Sequence, residues 1–151
     1  LKKVMEGLVK VNLMDFNFDN KFPKLVIGVD EVRRGSWAGP IIAGAAFLNS
    51  RKYHLDQRLN DSKKISSNVR TEVLKNLQKK ALFGIGIIDN FEIDKFGINK
   101  ATFKAMEIAV LDLKKKIGKK ISTILIDGNI DPVFKNSFGN AKKILIKKGD
   151  A

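Results

Sequence analysis

Short apolar runs and one long amphipathic segment predict a mixed α/β fold. Nearly continuous apolar runs, which are typical of buried strands, occur at residues 25–29, 41–48, 81–88, 121–126 and 143–146. Helical spacing predicts a helix capped by Ser66 or Ser67 and a longer one from about Ile98 to Lys116. The longer helix is expected to turn a stripe of mostly small residues inward: Ile98, Ala101, Thr102, Ala105, Met106, Ala109 and Leu113. The order strand, strand, helix, strand, helix, strand, strand favours a mixed sheet with helices packed against it.

The chain length favours one domain. Its 151 residues suffice for a single core. Residues 1–23 have weak periodicity and are predicted to form an N-terminal arm or linker, whereas residues 24–151 are predicted to fold. Because the chain begins with Leu1 and ends one residue after Asp150, we expect a fragment of a longer protein.

Composition excludes several classes of protein. The chain has no cysteine, which excludes disulfides and thiolate metal sites. No apolar run approaches the roughly 20 residues of a membrane-spanning helix. The first ten residues lack the apolar centre of a secretory signal. We therefore expect a cytoplasmic protein that does not enter a membrane.

Charge indicates a class of partner. Lys and Arg number 29 against 16 acidic residues, a formal net charge of +13. Such an excess favours binding to the phosphate backbone of nucleic acid. The alternative is that the charge only reflects a chain rich in Lys, Ile and Asn throughout.

Three strand-like runs lead to acids: Asp30 and Glu31, Asp127, and Asp150. One such Asp often only ends a strand and starts a turn, but three on a shared sheet favour a metal cluster. Clustered carboxylates repel one another unless a cation neutralises them, and hard oxygen ligands suit Mg²⁺ or Mn²⁺. With two metals, one activates water and the other stabilises the leaving oxygen. The residues alone thus indicate a metal-dependent nuclease or phosphotransferase.

Several segments resemble motifs of the ribonuclease HII family and occur in the same order. Residues 27–35 with Ala38-Gly39-Pro40 resemble its Asp-Glu-Ala-Gly-Arg-Gly motif and the downstream Ala-Gly-Pro. Residues 59–64 resemble its Leu-Asn-Asp-Ser-Lys-Lys loop. The remaining matches are Glu92-Ile93-Asp94, residues 98–106, residues 125–129 and Lys148-Gly149-Asp150. Together they cover the chain from Lys24 to its end.

The resemblance implies a ribonuclease H-like fold, a mixed five-stranded sheet flanked by helices, over residues 24–151. It implies that Asp30, Glu31, Asp127 and Asp150 are the catalytic acids that bind Mg²⁺ or Mn²⁺. It also implies a monomeric endoribonuclease that cuts the RNA strand of RNA/DNA hybrids and cuts 5′ to ribonucleotides embedded in duplex DNA. The matched substrate contacts are Arg33, Arg34, Gly35, Ser62 and Lys63.

Two departures from the family pattern affect these expectations. Arg33 stands where the family has glycine; if the backbone there is left-handed, a side chain costs about 1–2 kcal/mol, and we expect impaired ribonucleotide recognition. Alternatively, Arg33 turns outward and contacts a phosphate. Family members also continue past the last acid into helices that supply a ribose-stacking tyrosine, a role for which Tyr53 is not in position. We expect the 151-residue piece to be less stable than a complete enzyme and catalytically poor.

Three alternatives stay open. The related ribonuclease HIII family has Gly-Lys-Gly and a sizeable N-terminal domain, so it fits less well. A non-catalytic nucleic-acid-binding remnant would keep the basic surface without turnover. A small-molecule phosphatase would use the same metal cluster on another ester. Cleavage of a duplex with one ribonucleotide, with and without Mn²⁺, separates the nuclease from the remnant.

Overall fold

The computed structural model describes residues 25–33, 39–48, 66–79, 81–128, 130–135, 138 and 140–146. The predicted arm at residues 1–23 lies outside them. The described elements are β1 (Val26–Arg33), β2 (Ile41–Leu48), α1 (Ser67–Gln78), β3 (Ala81–Ile88), α2 (Asn90–Phe96), α3 (Ile98–Ile117), β4 (Thr123–Asp127) and β5 (Lys142–Ile146). None of the described helices has the length and apolar character that crossing a membrane requires.

The strands form one mixed sheet in the order β3-β2-β1-β4-β5. Strand β2 is antiparallel to both β1 and β3, whereas β4 is parallel to both β1 and β5. Because β1 and β4 lie inside the sheet and are buried on both faces, their sequences are apolar runs without polar alternation. The predicted mixed five-stranded sheet flanked by helices is confirmed.

Helix α3 packs on one face of the sheet, which we call the helix face. There it forms the core with alternate residues of the strands, including Ile27 and Val29 of β1 and Ile124 and Ile126 of β4. Strand residues at the intervening positions point to the opposite face. We call this second surface the acid face, because Asp30 and Asp127 belong to it.

Glycines let α3 lie unusually close to β3. A Cβ added at Gly84 would lie 2.1 Å from the carbonyl oxygen of Ala109, and one added at Gly86 would lie 1.9 Å from that of Ala105. Both distances are far inside van der Waals contact, and the obstructing atoms belong to the backbone. The predicted small-residue stripe of α3 is therefore matched by glycines on the strand below it.

The predicted stripe was wrong at one position and incomplete at two. Ile98 is 46% exposed. It is the first helical residue, and helical side chains lean towards the N-terminus, so its side chain extends beyond the packed part of the helix. Glu107 and Val110 are buried in addition to the expected residues.

Helix α2 was not predicted from the pattern of apolar residues. It has no buried residue, so it carries no apolar stripe. It begins where the Asp89 side chain accepts a hydrogen bond of 2.9 Å from the backbone N–H of Glu92. It ends at Gly97, whose φ of 80° favours glycine. Local capping, and not burial, defines this helix.

Two side chains of α3 bond the outer edge of β3. The Asp112 carboxylate accepts hydrogen bonds from the Ile85 backbone N–H at 3.0 Å and from the Lys116 ammonium at 2.7 Å. Lys116 also donates to the carbonyl oxygen of Phe83 at 2.8 Å. The bond from Lys116 holds the pKa of the Asp112 carboxyl below its usual value. Asp112 and Lys116 therefore bond backbone groups at the edge of β3 that could otherwise pair with another strand.

Candidate functional site

The neighbouring parallel strands β1 and β4 bring two of the predicted acids together. Their register pairs Val26 with Thr123 and continues one for one to Val29 with Ile126. Extending it by one residue places Asp30 beside Asp127. Register partners on adjacent strands point to the same face and lie about 5 Å apart, which is within reach of a shared cation. The structure therefore aligns Asp30 and Asp127 on the acid face.

Asp30 is the more enclosed of the two carboxylates. It is 3% exposed, whereas Asp127 is half-buried. Asp30 takes part in polar interactions, but its Oδ2 atom is buried and accepts no hydrogen bond from the described part of the chain. Gly44 lies opposite Asp30 on β2, so this neighbouring strand contributes no side chain beside the carboxylate.

The alternation of side chains along β1 does not by itself place Glu31 on the acid face with Asp30 and Asp127. As the residue after Asp30, it would point to the opposite face. However, the ladder between β1 and β2 has an irregularity between Glu31 and Arg33, where bulges commonly redirect side chains. Glu31 is half-buried at this point.

Asp150 lies outside the described residues, and so do Arg34, Gly35, Ser62 and Lys63. Strand β5 ends at Ile146, which is paired with Asp127, and Asp150 follows it in sequence. Within the described ranges, no group of three or more His, Cys, Asp or Glu side chains is arranged to hold a metal. The site of four acids stays a prediction, of which the structure aligns two members.

The backbone at Arg33 is that of a strand. Arg33 is the last residue of β1 and is paired with Ile42. Among the described residues, no residue other than glycine has a positive φ. The condition under which Arg33 would cost 1–2 kcal/mol, a left-handed backbone, is therefore not met.

Comparison with known proteins identifies the family. The family model for ribonuclease HII matches residues 27–151. The chain belongs to the ribonuclease HII family. Ribonuclease HII of Fusobacterium nucleatum is 41% identical to it over 128 residues, which cover 85% of this chain and 57% of that protein. The chain spans a little over half the length of the curated ribonuclease HII relatives that it matches first.

Solved structures establish the fold. The ribonuclease H2 of Pyrococcus horikoshii matches with a TM-score of 0.63 at 23% identity, over 84% of this chain and 64% of that one. Bst-RNase HIII in complex with Mn²⁺ matches with a TM-score of 0.56 at 21% identity, over 71% of this chain and 37% of that one. The predicted ribonuclease H-like fold is confirmed.

The aligned acids suit a hard divalent cation. Carboxylate oxygens are the donors that Mg²⁺ and Mn²⁺ prefer, and the chain has no thiolate to favour a softer metal. Two adjacent carboxylates, one of them deeply buried, would repel each other without a positive charge nearby. Asp30 and Asp127 are therefore the described residues that fit a metal.

Proposed function

We propose that this chain is part of a metal-dependent endoribonuclease. It hydrolyses the RNA strand of RNA/DNA hybrids and cuts on the 5′ side of ribonucleotides embedded in duplex DNA. The observation that carries the proposal is that the parallel register of β1 and β4, extended by one residue, aligns Asp30 with Asp127 in a chain of the ribonuclease HII family.

Asp30 and Asp127 would hold the metal from rigid positions. Both belong to strands in the interior of the sheet, where Asp30 is paired with Gly44 of β2 and Asp127 with Ile146 of β5. Glu31 and Asp150 complete the proposed ligand set. When bound by these residues, a pair of Mg²⁺ or Mn²⁺ ions would supply an activated water and stabilise the leaving oxygen. The Mn²⁺ complex of Bst-RNase HIII supports a divalent ion in this fold.

Substrate contacts are proposed for Arg33, Arg34, Gly35, Ser62 and Lys63. The net charge of +13 supports attraction of a polyanion. Only the 2′-hydroxyl distinguishes a ribonucleotide within DNA, so recognition requires close approach to the sugar. We propose that the protein acts on such duplexes as a monomer in the cytoplasm.

The test is cleavage of a DNA duplex that contains one ribonucleotide, with and without Mn²⁺. We expect one metal-dependent cut that leaves a 3′-hydroxyl and a 5′-phosphate. Asp127→Asn should lower the rate about 100-fold or more, because metal catalysis supplies several kcal/mol. Asp131→Asn is the matched control: Asp131 is exposed and pairs with Lys143, and its variant should cut like the original.

Two results would contradict the proposal. Binding of the duplex without any cutting in Mg²⁺ or Mn²⁺ would favour the alternative hypothesis, a non-catalytic nucleic-acid-binding remnant. Equal activity of the original chain and the Asp127→Asn variant would show that Asp127 is not part of the catalytic site. In the same assay Arg33→Gly should slow cutting at the ribonucleotide, because the backbone at Arg33 is not left-handed and the side chain is a proposed substrate contact; a faster rate would show that Arg33 impairs recognition.

A further inference from the structure

Exposed lysines collect at the end of the sheet that is opposite the acids. Helix α3 carries Lys114, Lys115 and Lys116 in its last turn, and the segment that leads from α3 to β4 carries Lys119 and Lys120. Lys79 follows α1 just before β3, and Lys142 is the first residue of β5. We define the lysine end as the exposed residues Lys79, Lys114, Lys115, Lys119, Lys120 and Lys142.

The direction of the strands places these lysines at one end of the sheet. Strands β1, β3, β4 and β5 all run in the same direction, so their amino ends meet at the same end of the sheet. The bond from Lys116 to the Phe83 carbonyl fixes the last turn of α3 beside β3. The backbone N–H groups of Ser122 and Thr123 donate to the Leu25 carbonyl at the start of β1. The connecting segment with Lys119 and Lys120 therefore crosses the sheet end from β3 towards β1 and β4.

The dimensions suit a phosphate backbone. Five strands at a spacing of about 4.8 Å separate the two outer strands by roughly 19 Å. One strand of a duplex carries a phosphate for about every 3.4 Å of axis, so this distance corresponds to about five phosphates. Asp30 is the fifth residue of β1 and Asp127 the fifth of β4, so at about 3.3 Å per residue each acid lies roughly 13 Å along its strand from the amino end. Lysines at one end and acids at the other thus cannot contact the same phosphate.

Half of the lysines at the lysine end have no described acidic partner. Residues 114–122 contain no acid, and the nearby Asp112 is bonded to Lys116. Lys114, Lys119 and Lys120 form no ion pair with a described residue. Favourable interaction with the helix dipole explains lysines in the last turn of α3, but Lys119 and Lys120 lie beyond the helix. By contrast, acids lie in the second half of β1 and of β4 or follow β3: Asp30, Glu31, Asp127, Asp89, Glu92 and Asp94.

We propose that the lysine end binds the phosphate backbone of a nucleic-acid duplex, independently of sequence, at a surface separate from the acid face. Residues 114–122 include no exposed large apolar side chain that would enter a membrane, which favours a rigid polyanion as the partner. The inference goes beyond the proposed function, because such a duplex is held without being cut. A duplex bound here stays attached while the acid face is empty.

The test uses a short all-deoxyribose duplex in EDTA, which offers neither a ribonucleotide nor a metal. Anisotropy gives the dissociation constant over a range of salt concentrations. Lys119→Gln with Lys120→Gln should weaken binding about tenfold at low salt and reduce the salt slope by about 2, since each phosphate contact contributes roughly 0.9. The matched control is Lys95→Gln with Lys100→Gln. Both lysines are exposed and lie near the end of the sheet that carries the acids, so this variant should leave the salt slope nearly unchanged.

A second measurement locates the contact directly. The chain has no cysteine, so Lys120→Cys and Lys100→Cys each provide a single attachment point for a photo-crosslinker. We expect crosslinks to the duplex from position 120 and few from position 100. Equal loss of affinity in both double variants, or crosslinking mainly from position 100, would overturn the inference. So would tighter binding to anionic phospholipid vesicles than to the duplex. None of these results bears on the cutting assay, whose readout is hydrolysis at a ribonucleotide.

Discussion

The helix face and the acid face of the sheet differ in what they contribute. On the helix face, β1 and β4 place Ile27, Val29, Ile124 and Ile126 against α3 in a dry apolar core. On the acid face, the same two strands align Asp30 with Asp127. Consecutive residues of one strand, Val29 and Asp30, thus serve the core and the site respectively. Strand alternation lets changes on one face be made with little effect on the other.

The largest expected effect is on the helix face. Gly86→Ala should lower the free energy of unfolding by about 3 kcal/mol, because its Cβ meets the Ala105 backbone and no rotamer relieves the overlap. The matched variant Ile87→Ala alters a side chain that is 56% exposed on the other face of β3, and it should cost less than about 1 kcal/mol. Urea unfolding measures both. Similar losses in the two variants would mean that α3 is not held close to β3.

A smaller change in the free energy of unfolding is expected from substitutions on the acid face, and only when metal is present. At an Mn²⁺ concentration about 100 times its dissociation constant, the free energy of unfolding should rise by roughly 2.7 kcal/mol. Asp30→Asn should abolish this increment, while Asp131→Asn should retain it. Gly86→Ala, if folded at the temperature used, should retain it as well, because it alters the other face. Thermal unfolding with and without Mn²⁺ measures the increment; its full persistence in Asp30→Asn would exclude Asp30 as a ligand.

The smallest expected effect is at the edge of the sheet and depends on pH. Because the folded-state pKa of Asp112 lies below its ordinary value of 3.8, its ionised form stabilises the fold above that pH. The contribution is lost as the pH falls through the lowered folded-state pKa. Asp112→Asn should therefore cost about 0.5 kcal/mol near pH 7, since the pair with Lys116 is partly exposed.

The control for this edge prediction is Asp94→Asn, which removes an exposed acid from α2. It should leave the unfolding midpoint unchanged at both ends of the pH range. The difference between Asp112→Asn and the original chain should shrink as the solution is made more acidic. A difference that grows in acid would contradict a lowered pKa in the folded state.

The pattern of apolar and polar residues was sufficient to predict most strands of the sheet. The bounds of β2 and β3 agree with the predicted runs at 41–48 and 81–88, because turn residues or charges delimit each run. Helix α2 was missed, since burial patterns carry no signal where nothing is buried. The signal that would have found it is Asp89 followed three residues later by Glu92, a spacing typical of helix N-termini.

The site was less accessible to sequence reasoning than the fold. Strand-ending acids could be identified from the residues, but apolar runs do not reveal which strands are neighbours. The family resemblance implied that Asp30 and Asp127 belong to one site, but only the strand register shows the pairing of β1 with β4 that aligns them. The lysine end was overlooked because its members are scattered along the sequence, after α1, at the end of α3 and in the segment that follows it, and at the start of β5. Only the common direction of the strands unites them.

The parallel pairing of β1 with β4 also affects the order of events during folding. Ser122 bonds the carbonyl of Leu25 across a separation of 97 residues, and the aligned acids lie further along the same two strands. Contacts of such long range form late, because closing the intervening loop costs entropy. We therefore expect a cation held by both acids to bind after the sheet has formed. On a ribosome, the nascent chain would remain unable to bind metal until β4 has emerged and docked beside a sheet that already exists.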